Sequence, residues 1–309
     1  MFKQLSKKGF TIAMVTVLSV GVLSACGKTQ TPAAGDKTTT PGASTPAPST
    51  SATKPADSAA PVEGTVTASG SSALLPLVKV AGEEFMKKNP KATINPTAGG
   101  SGQGVKNVAD GTSDIGNSDV EAGPEYKDKG LVDHIVAVAP FALIVNKDVK
   151  VDNLTKQQAA DIYMGKITNW KEVGGDDAKI VLVHRPDGSG SKALVKQIVL
   201  GGQEFTKDGV TQDSSGAVAT AVGQTKNSIG YVDTPYIKGD VKAVKFDGVA
   251  FSKDSIKGGQ YPLFGIEHSY TKGEPKGAAK AFLDYMMSDD FQNNFVEKAG
   301  FLPANLLKK

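Results

Sequence analysis

From His134 to Val145 the chain reads His-Ile-Val-Ala-Val-Ala-Pro-Phe-Ala-Leu-Ile-Val, apolar nearly throughout and with no Asp, Glu, Lys or Arg. A run of this kind is buried on both faces, as a strand in the middle of a sheet is, and it is long enough to cross from one lobe to another. Strand-like and helix-like stretches alternate around it, which makes the folded part α/β. Thr65 to Ala68, Ala92 to Pro96, Lys179 to His184, Ser228 to Val232, Val241 to Phe246 and Tyr261 to His268 read as further strands. Leu74, Val78, Ala81 and Phe85 recur at helical spacing, Val105 to Ala109 forms a short helix, and Phe282, Tyr285 and Met286 mark another. Thr155-Lys156-Gln157-Gln158 is a capping box, with Gly165 placed to end the helix it starts.

The beginning of the chain is of another kind. Lys3, Lys7 and Lys8 precede an apolar stretch from about Phe10 to Val22, followed by Leu23-Ser24-Ala25-Cys26. The stretch is too short for a span of ~20 apolar residues and fits a secretory segment of ~7–15. Residues 1–25 are therefore expected to be a signal peptide. Cys26 is the sole cysteine, and its setting resembles the bacterial lipobox, in which the thiol is lipidated and becomes the new N-terminus. One cysteine also excludes an intramolecular disulfide and any CxxC site. Residues 26–63 are mostly Thr, Pro, Ala, Ser and Gly, a composition that cannot offset its ordering entropy and serves as a tether with a reach of ~30 Å. The formal charge of +3 includes the three early lysines, so the mature chain is near 3 − 3 = 0. Its lysines are scattered among acids, which argues against nucleic acid as a partner.

Arg185 is the only arginine among the 309 residues. It stands in Val181-Leu182-Val183-His184-Arg185-Pro186-Asp187-Gly188-Ser189-Gly190-Ser191, an apolar strand followed by residues that turn sharply and open a helix. A guanidinium is a planar fork that stays charged and holds an oxyanion bidentately, and N–H groups at a helix N-terminus add to that. Three other segments share this character: Gly70-Ser71-Ser72-Ala73, Gly99-Gly100-Ser101-Gly102-Gln103-Gly104, and Ser113-Asp114-Ile115-Gly116-Asn117-Ser118-Asp119. Each serine alone has a duller use as an N-cap. Three strand–Ser/Gly–helix junctions with one guanidinium together describe an anion cage.

Other chemistries lack their parts. GxxxxGK[ST] does not occur, and Gly99 to Gly104 does not satisfy GxGxxG. His134, His184 and His268 stand apart without ligand spacing, so neither a metal nor a cofactor is expected. Ser189-Gly190-Ser191-Lys192 matches the SxxK of serine acyl-transfer enzymes, but the companion SDN and KTG motifs and a GxSxG elbow are missing. No catalytic residue is assigned, and the chain is expected not to be an enzyme.

Gly70-Ser71-Ser72-Ala73-Leu74-Leu75-Pro76, Gly100-Ser101-Gly102, Ser118-Asp119 and the arginine segment resemble the phosphate-binding loops of periplasmic-type phosphate-binding proteins, the receptors of the phosphate-specific ABC importer. Asp161-Ile162-Tyr163-Met164-Gly165-Lys166-Ile167-Thr168-Asn169-Trp170 and Ile229-Gly230-Tyr231-Val232 are similar to segments of the same family. Some relatives carry a threonine and an aromatic residue where this chain has Ser72 and Ala73. The resemblance implies a type II periplasmic-binding fold of two lobes, residues 64–140 with 264–309 and residues 141–263, with the ligand cleft between them. It implies inorganic phosphate held by Ser72, Ala73, Ser101 and Asp119 from the first lobe and by Arg185, Ser189, Gly190 and Ser191 from the second, with Asp187 accepting from Arg185 to fix its fork. It also implies a lipid-anchored monomer on the outer face of the cell membrane that delivers phosphate to permease subunits. Sulfate and molybdate are the alternative ligands. Asp119 disfavours both, because a carboxylate in an anion site accepts a hydrogen bond from hydrogen phosphate and repels an anion without a proton.

Overall fold

A computed structural model describes residues 61–307. The expected signal peptide, Cys26 and nearly all of the expected tether lie outside the described residues. In chain order the elements are β1 (Glu63–Gly70), α1 (Leu75–Lys88), β2 (Lys91–Ala98), α2 (Ser101–Asp110), β3 (Ile115–Ser118), β4 (Leu131–Asn146), β5 (Asn153–Leu154), α3 (Lys156–Tyr163), β6 (Val181–His184), α4 (Gly190–Ile198), β7 (Val210–Thr211), α5 (Ser215–Gln224), β8 (Ser228–Asp233), β9 (Val241–Ala243), β10 (Lys245–Phe246), α6 (Lys253–Lys257), β11 (Phe264–Lys272), α7 (Gly277–Met287) and α8 (Asp289–Asn294).

One mixed sheet runs β2-β1-β3-β11-β4-β8-β6-β7, with β9 also pairing β4. β4 holds it together by changing partners. Its first part, Leu131 to Pro140, pairs antiparallel with β11, and from Phe141 onward it pairs with β8 and β9. Pro140, which has no N–H to offer, stands next to that change. Every residue from Val136 to Asn146 is buried, as the apolar run requires.

Each half of the sheet has its own core. Val66, Leu77, Phe85, Ile94, Phe282 and Phe291 pack in one half, beneath α1, α7 and α8. Leu143, Tyr163, Trp170, Val195, Tyr231 and Tyr261 pack in the other. Burying a large apolar side chain is worth about 1.5–3 kcal/mol, so each half has the material for a core of its own. The Thr155 capping box forms as its spacing dictates: Thr155 Oγ1 accepts from the Gln158 N–H at 3.1 Å while Gln158 Oε1 accepts from the Thr155 N–H at 2.9 Å.

Three expectations need correction. Val241 to Phe246 is not one strand; it breaks at Val244, because β9 pairs with β4 and β10 pairs with β5. The expected strand Tyr261 to His268 is shifted toward the C-terminus, since Tyr261 instead buries its ring and donates its hydroxyl to the Phe141 carbonyl at 2.9 Å. Ser113 to Asp119 does not open a helix. Ile115 to Ser118 is a fully buried strand, β3, that delivers Asp119 at its end.

α2 lies so close to β1 and β3 that a Cβ on Gly104 would stand 2.5 Å from the Asn117 carbonyl oxygen and 2.7 Å from the Gly70 Cα. Both neighbours are backbone and cannot turn aside. Gly104→Ala should therefore lower stability by about 3 kcal/mol, read as a shifted urea midpoint; a midpoint like that of the wild type would show that α2 can move away freely.

Candidate functional site

Four helix or turn starts converge where the two halves of the sheet meet. α1 is preceded by Ser71 and Ser72, and α2, α4 and α5 begin with Ser101, Gly190 and Ser215. Each of the first few N–H groups of a helix lacks an intrahelical acceptor, so these ends aim donors at a common region. They are packed tightly together. The Gly102 N–H donates to the Gly188 carbonyl at 3.0 Å, and a Cβ on Gly190 would lie 2.4 Å from Ser101 Oγ and 2.8 Å from Asp119 Oδ2.

Asp119 is a node between the halves. It is 2% exposed. Its carboxylate accepts from the Ser71 hydroxyl and, at 3.1 Å, from the Ser191 hydroxyl, while its N–H donates to Ser101 Oγ at 3.1 Å. Ser71 Oγ in turn accepts from the N–H groups of Ala73 and Leu74, both at 3.0 Å. The Ala73 N–H is thus engaged within its own loop.

Arg185, equally buried, closes the other side. Its backbone N–H donates to the Tyr231 hydroxyl at 3.1 Å, Nη1 donates to Ser215 Oγ at 3.2 Å and Nη2 to the Asp213 carbonyl at 3.2 Å. Nε has no hydrogen-bond partner among the described residues, and two of the five side-chain N–H donors a guanidinium carries are engaged. Ser215 then leads back across the contact, because its N–H donates to Ser72 Oγ at 3.0 Å. Tyr236 adds a second crossing, donating its hydroxyl to the Ser72 carbonyl at 2.5 Å. Behind Arg185, Tyr163, His184, Phe205 and Tyr231 form an aromatic cluster with ring centres 5.4 to 6.1 Å apart. Burial pulls the Arg185 guanidinium below its ordinary value, with the negative charge of Asp119 the largest influence against that.

The sequence-derived residues thus fall into place unevenly. Ser72, Ser101, Asp119, Arg185, Gly190 and Ser191 come together. Ser189 is the N-cap of α4, its Oγ accepting from the Lys192 N–H at 3.3 Å. Asp187 does not hold the arginine fork. The turn after Pro186 sends its side chain into solvent, 98% exposed, where it pairs with Lys192 Nζ at 2.7 Å. Sequence reasoning missed Ser215, Asp233, Tyr236 and Glu267. For Ser215 a signal exists: Ser214-Ser215-Gly216 follows a strand and opens a helix, as the other Ser/Gly segments do. Asp233 and Glu267 are buried carboxyls beside Asp119. Burial, and next the charge of Asp119, raise both well above the usual carboxylate range. Among the described residues no group of His, Cys, Asp and Glu is arranged to hold a metal ion.

Comparison with known proteins agrees on one family. Residues 55–290 match the family model of the PBP superfamily domain. The phosphate-binding protein PstS of Bacillus subtilis (strain 168) is 46% identical over 250 residues, which are 79% of this chain and 82% of that one. A phosphate ABC transporter substrate-binding protein from Clostridium perfringens, solved with bound phosphate, superposes with a TM-score of 0.74 at 35% identity, covering 78% of this chain and 99% of that one. An ABC-type phosphate transport receptor from Vibrio cholerae, 24% identical with a TM-score of 0.63 over 77% of this chain and 99% of its own, shares the fold. The two halves of the sheet are accordingly the two lobes of a periplasmic-binding fold. With its helix starts gathered around Asp119 and Arg185 and nearly half its aligned residues shared with the Bacillus subtilis protein, the chain belongs to the PstS family of phosphate-binding proteins.

Proposed function

We propose that this protein captures inorganic phosphate between its lobes and hands it to the permease subunits of an ABC importer. One observation carries the reading. A buried guanidinium with donors to spare lies on one lobe, and a buried carboxylate that already bonds across to that lobe lies on the other. A phosphate oxyanion satisfies the remaining donors of Arg185, the hydroxyls of Ser72, Ser101, Ser189 and Ser215, and the N–H groups of Gly190 and Ser191 that open α4, while the Ser191 hydroxyl stays on Asp119. The Ala73 N–H, held by Ser71 Oγ, shapes its turn. Asp119 accepts a hydrogen bond from the O–H that hydrogen phosphate carries. Because the donors come from both lobes, the ligand favours the shut arrangement over an open one.

The rest of the reading follows from the chain's organisation. Lobe boundaries near Pro140 and Phe264, where β4 leaves β11 for β8, suit residues 64–140 with 264–309 and residues 141–263. Cys26 carries the lipid, residues 26–63 form the tether, and the protein works as a monomer on the outer face of the membrane. No helix among the described residues is long and apolar enough to cross one. Catalysis has little support. In the SxxK segment Ser189 Oγ caps a helix, and Lys192 Nζ pairs with Asp187 and lies over the Phe205 ring, 5.3 Å from its centre.

Titration calorimetry with phosphate and then sulfate tests this. Arg185→Ala should weaken phosphate binding by at least ~100-fold, since two charge-assisted hydrogen bonds are worth about 3 kcal/mol or more. Unchanged affinity would dispose of the cage. Asp119→Ala should narrow the gap between phosphate and sulfate; a variant that rejects sulfate as firmly as the wild type places selectivity elsewhere.

A further inference from the structure

Glu267 lies on β11, one of the two strands that cross between the lobes, at the point where the register with β4 shifts between Glu267 and His268. It is 0% exposed, and neither carboxyl oxygen has a hydrogen-bond donor within reach among the described residues. Its neighbours offer little relief. Across the ladder β4 presents Ala137. The next residue, His268, turns its Nδ1 to Asp133 at 2.9 Å. The charged groups acting on Glu267 are Asp119, at the end of β3, and Asp233, at the end of β8; Asp119 and Glu267 adjoin at Gly265, where a Cβ would stand 3.2 Å from the Asp119 carbonyl oxygen and 3.8 Å from Glu267 Oε1. Arg185 acts on Asp119 and Asp233.

Two carboxylates side by side repel, and a buried ionised carboxylate without a donor is costly. A single proton removes both problems, because a protonated carboxyl is a donor and an ionised neighbour is an acceptor. With Asp119, Asp233 and Glu267 all ionised beside one guanidinium, the cleft would be strongly negative before any anion entered it.

We infer that Glu267 carries a proton in the closed protein and donates it to Asp119, acting as a positioning residue that holds the Asp119 carboxylate from the side of the crossing strands while keeping its own charge away from the bound anion. The proton comes from solvent, so at alkaline pH phosphate capture takes up a proton in addition to the one the ligand brings. The inference rests on the phosphate reading of the site. Burial holds Glu267 protonated above the usual carboxylate range. Its neutral form is therefore fully present at low pH and is lost as pH rises through the elevated value, and affinity falls in that direction.

Calorimetric titrations of the whole protein with phosphate, across alkaline pH where the free ligand is already the dianion, compare wild type, Glu267→Gln and Glu267→Leu. Wild-type affinity should fall by about tenfold per pH unit once one proton must be taken up with the ligand. The Gln variant, a neutral donor at every pH, should fall less steeply and bind more tightly than wild type at the alkaline end. The Leu variant, with no donor, should bind about tenfold more weakly than Gln throughout. Phosphate heat with parallel slopes in wild type and Gln, or equal affinities for Leu and Gln, overturns the inference alone. No phosphate heat in the wild type at any pH overturns the site reading and the inference with it. Should the Gln variant fail to fold, the infrared carbonyl band of a protonated carboxylic acid decides: its persistence in phosphate-bound Asp233→Asn at alkaline pH supports Glu267 as the carrier, and its absence there overturns it.

Discussion

The contact between the lobes turns on one buried carboxylate. Asp119 takes a hydroxyl donor from its own lobe, Ser71, and another from the opposite lobe, Ser191. Neither bond would suffice alone to offset the cost of burying the charge. Their value depends on α1, α2 and α4 all starting at the same point, which depends on glycines that let backbone approach backbone. Gly104 brings α2 against β1 and β3, and Gly190 lets α4 come down onto Ser101 and Asp119. The site is thus a product of close packing as much as of polar residues. A methyl group in the wrong place would cost it as surely as the loss of a charge.

Arg185 is the complementary constraint. A guanidinium cannot shed its charge as a buried lysine can, so its burial commits the fold to keeping acceptors or an anion beside it. The neutral acceptors present, a serine hydroxyl and a backbone carbonyl, leave N–H groups unused. That arrangement suits a residue whose main partner arrives from solution. The carboxyls of Asp233 and Glu267 approach the same region without neutralising it by salt bridges, since burial favours their protonated forms.

Much of this was legible in the sequence, for identifiable reasons. A lone arginine between an apolar strand and a Gly-Ser-Gly-Ser turn is a local signal, and so are the Thr155 capping box and the apolar run of β4. Each is decided within a few residues of chain. Asp187 shows the limit of such reasoning. The family resemblance implied a partner for Arg185 there, yet the turn points the two side chains apart and Lys192, five residues on, claims the carboxylate. Ser215 belongs to a segment whose preceding strand, β7, is only Val210–Thr211, too short to stand out by periodicity. Glu267 could not be found locally at all. Its role exists only because β11 pairs with both β3 and β4, an arrangement that joins residues far apart in the chain.

The partner exchange of β4 has a mechanical consequence. The chain enters the sheet at β1 and, after crossing out through β4 and back through β11, ends with α7 and α8 packed on the lobe where it began. Tension applied between the two ends of the described chain would therefore load the first lobe through its own contacts. The second lobe hangs as a closed loop outside the line of force, and it would keep its fold until the first had yielded.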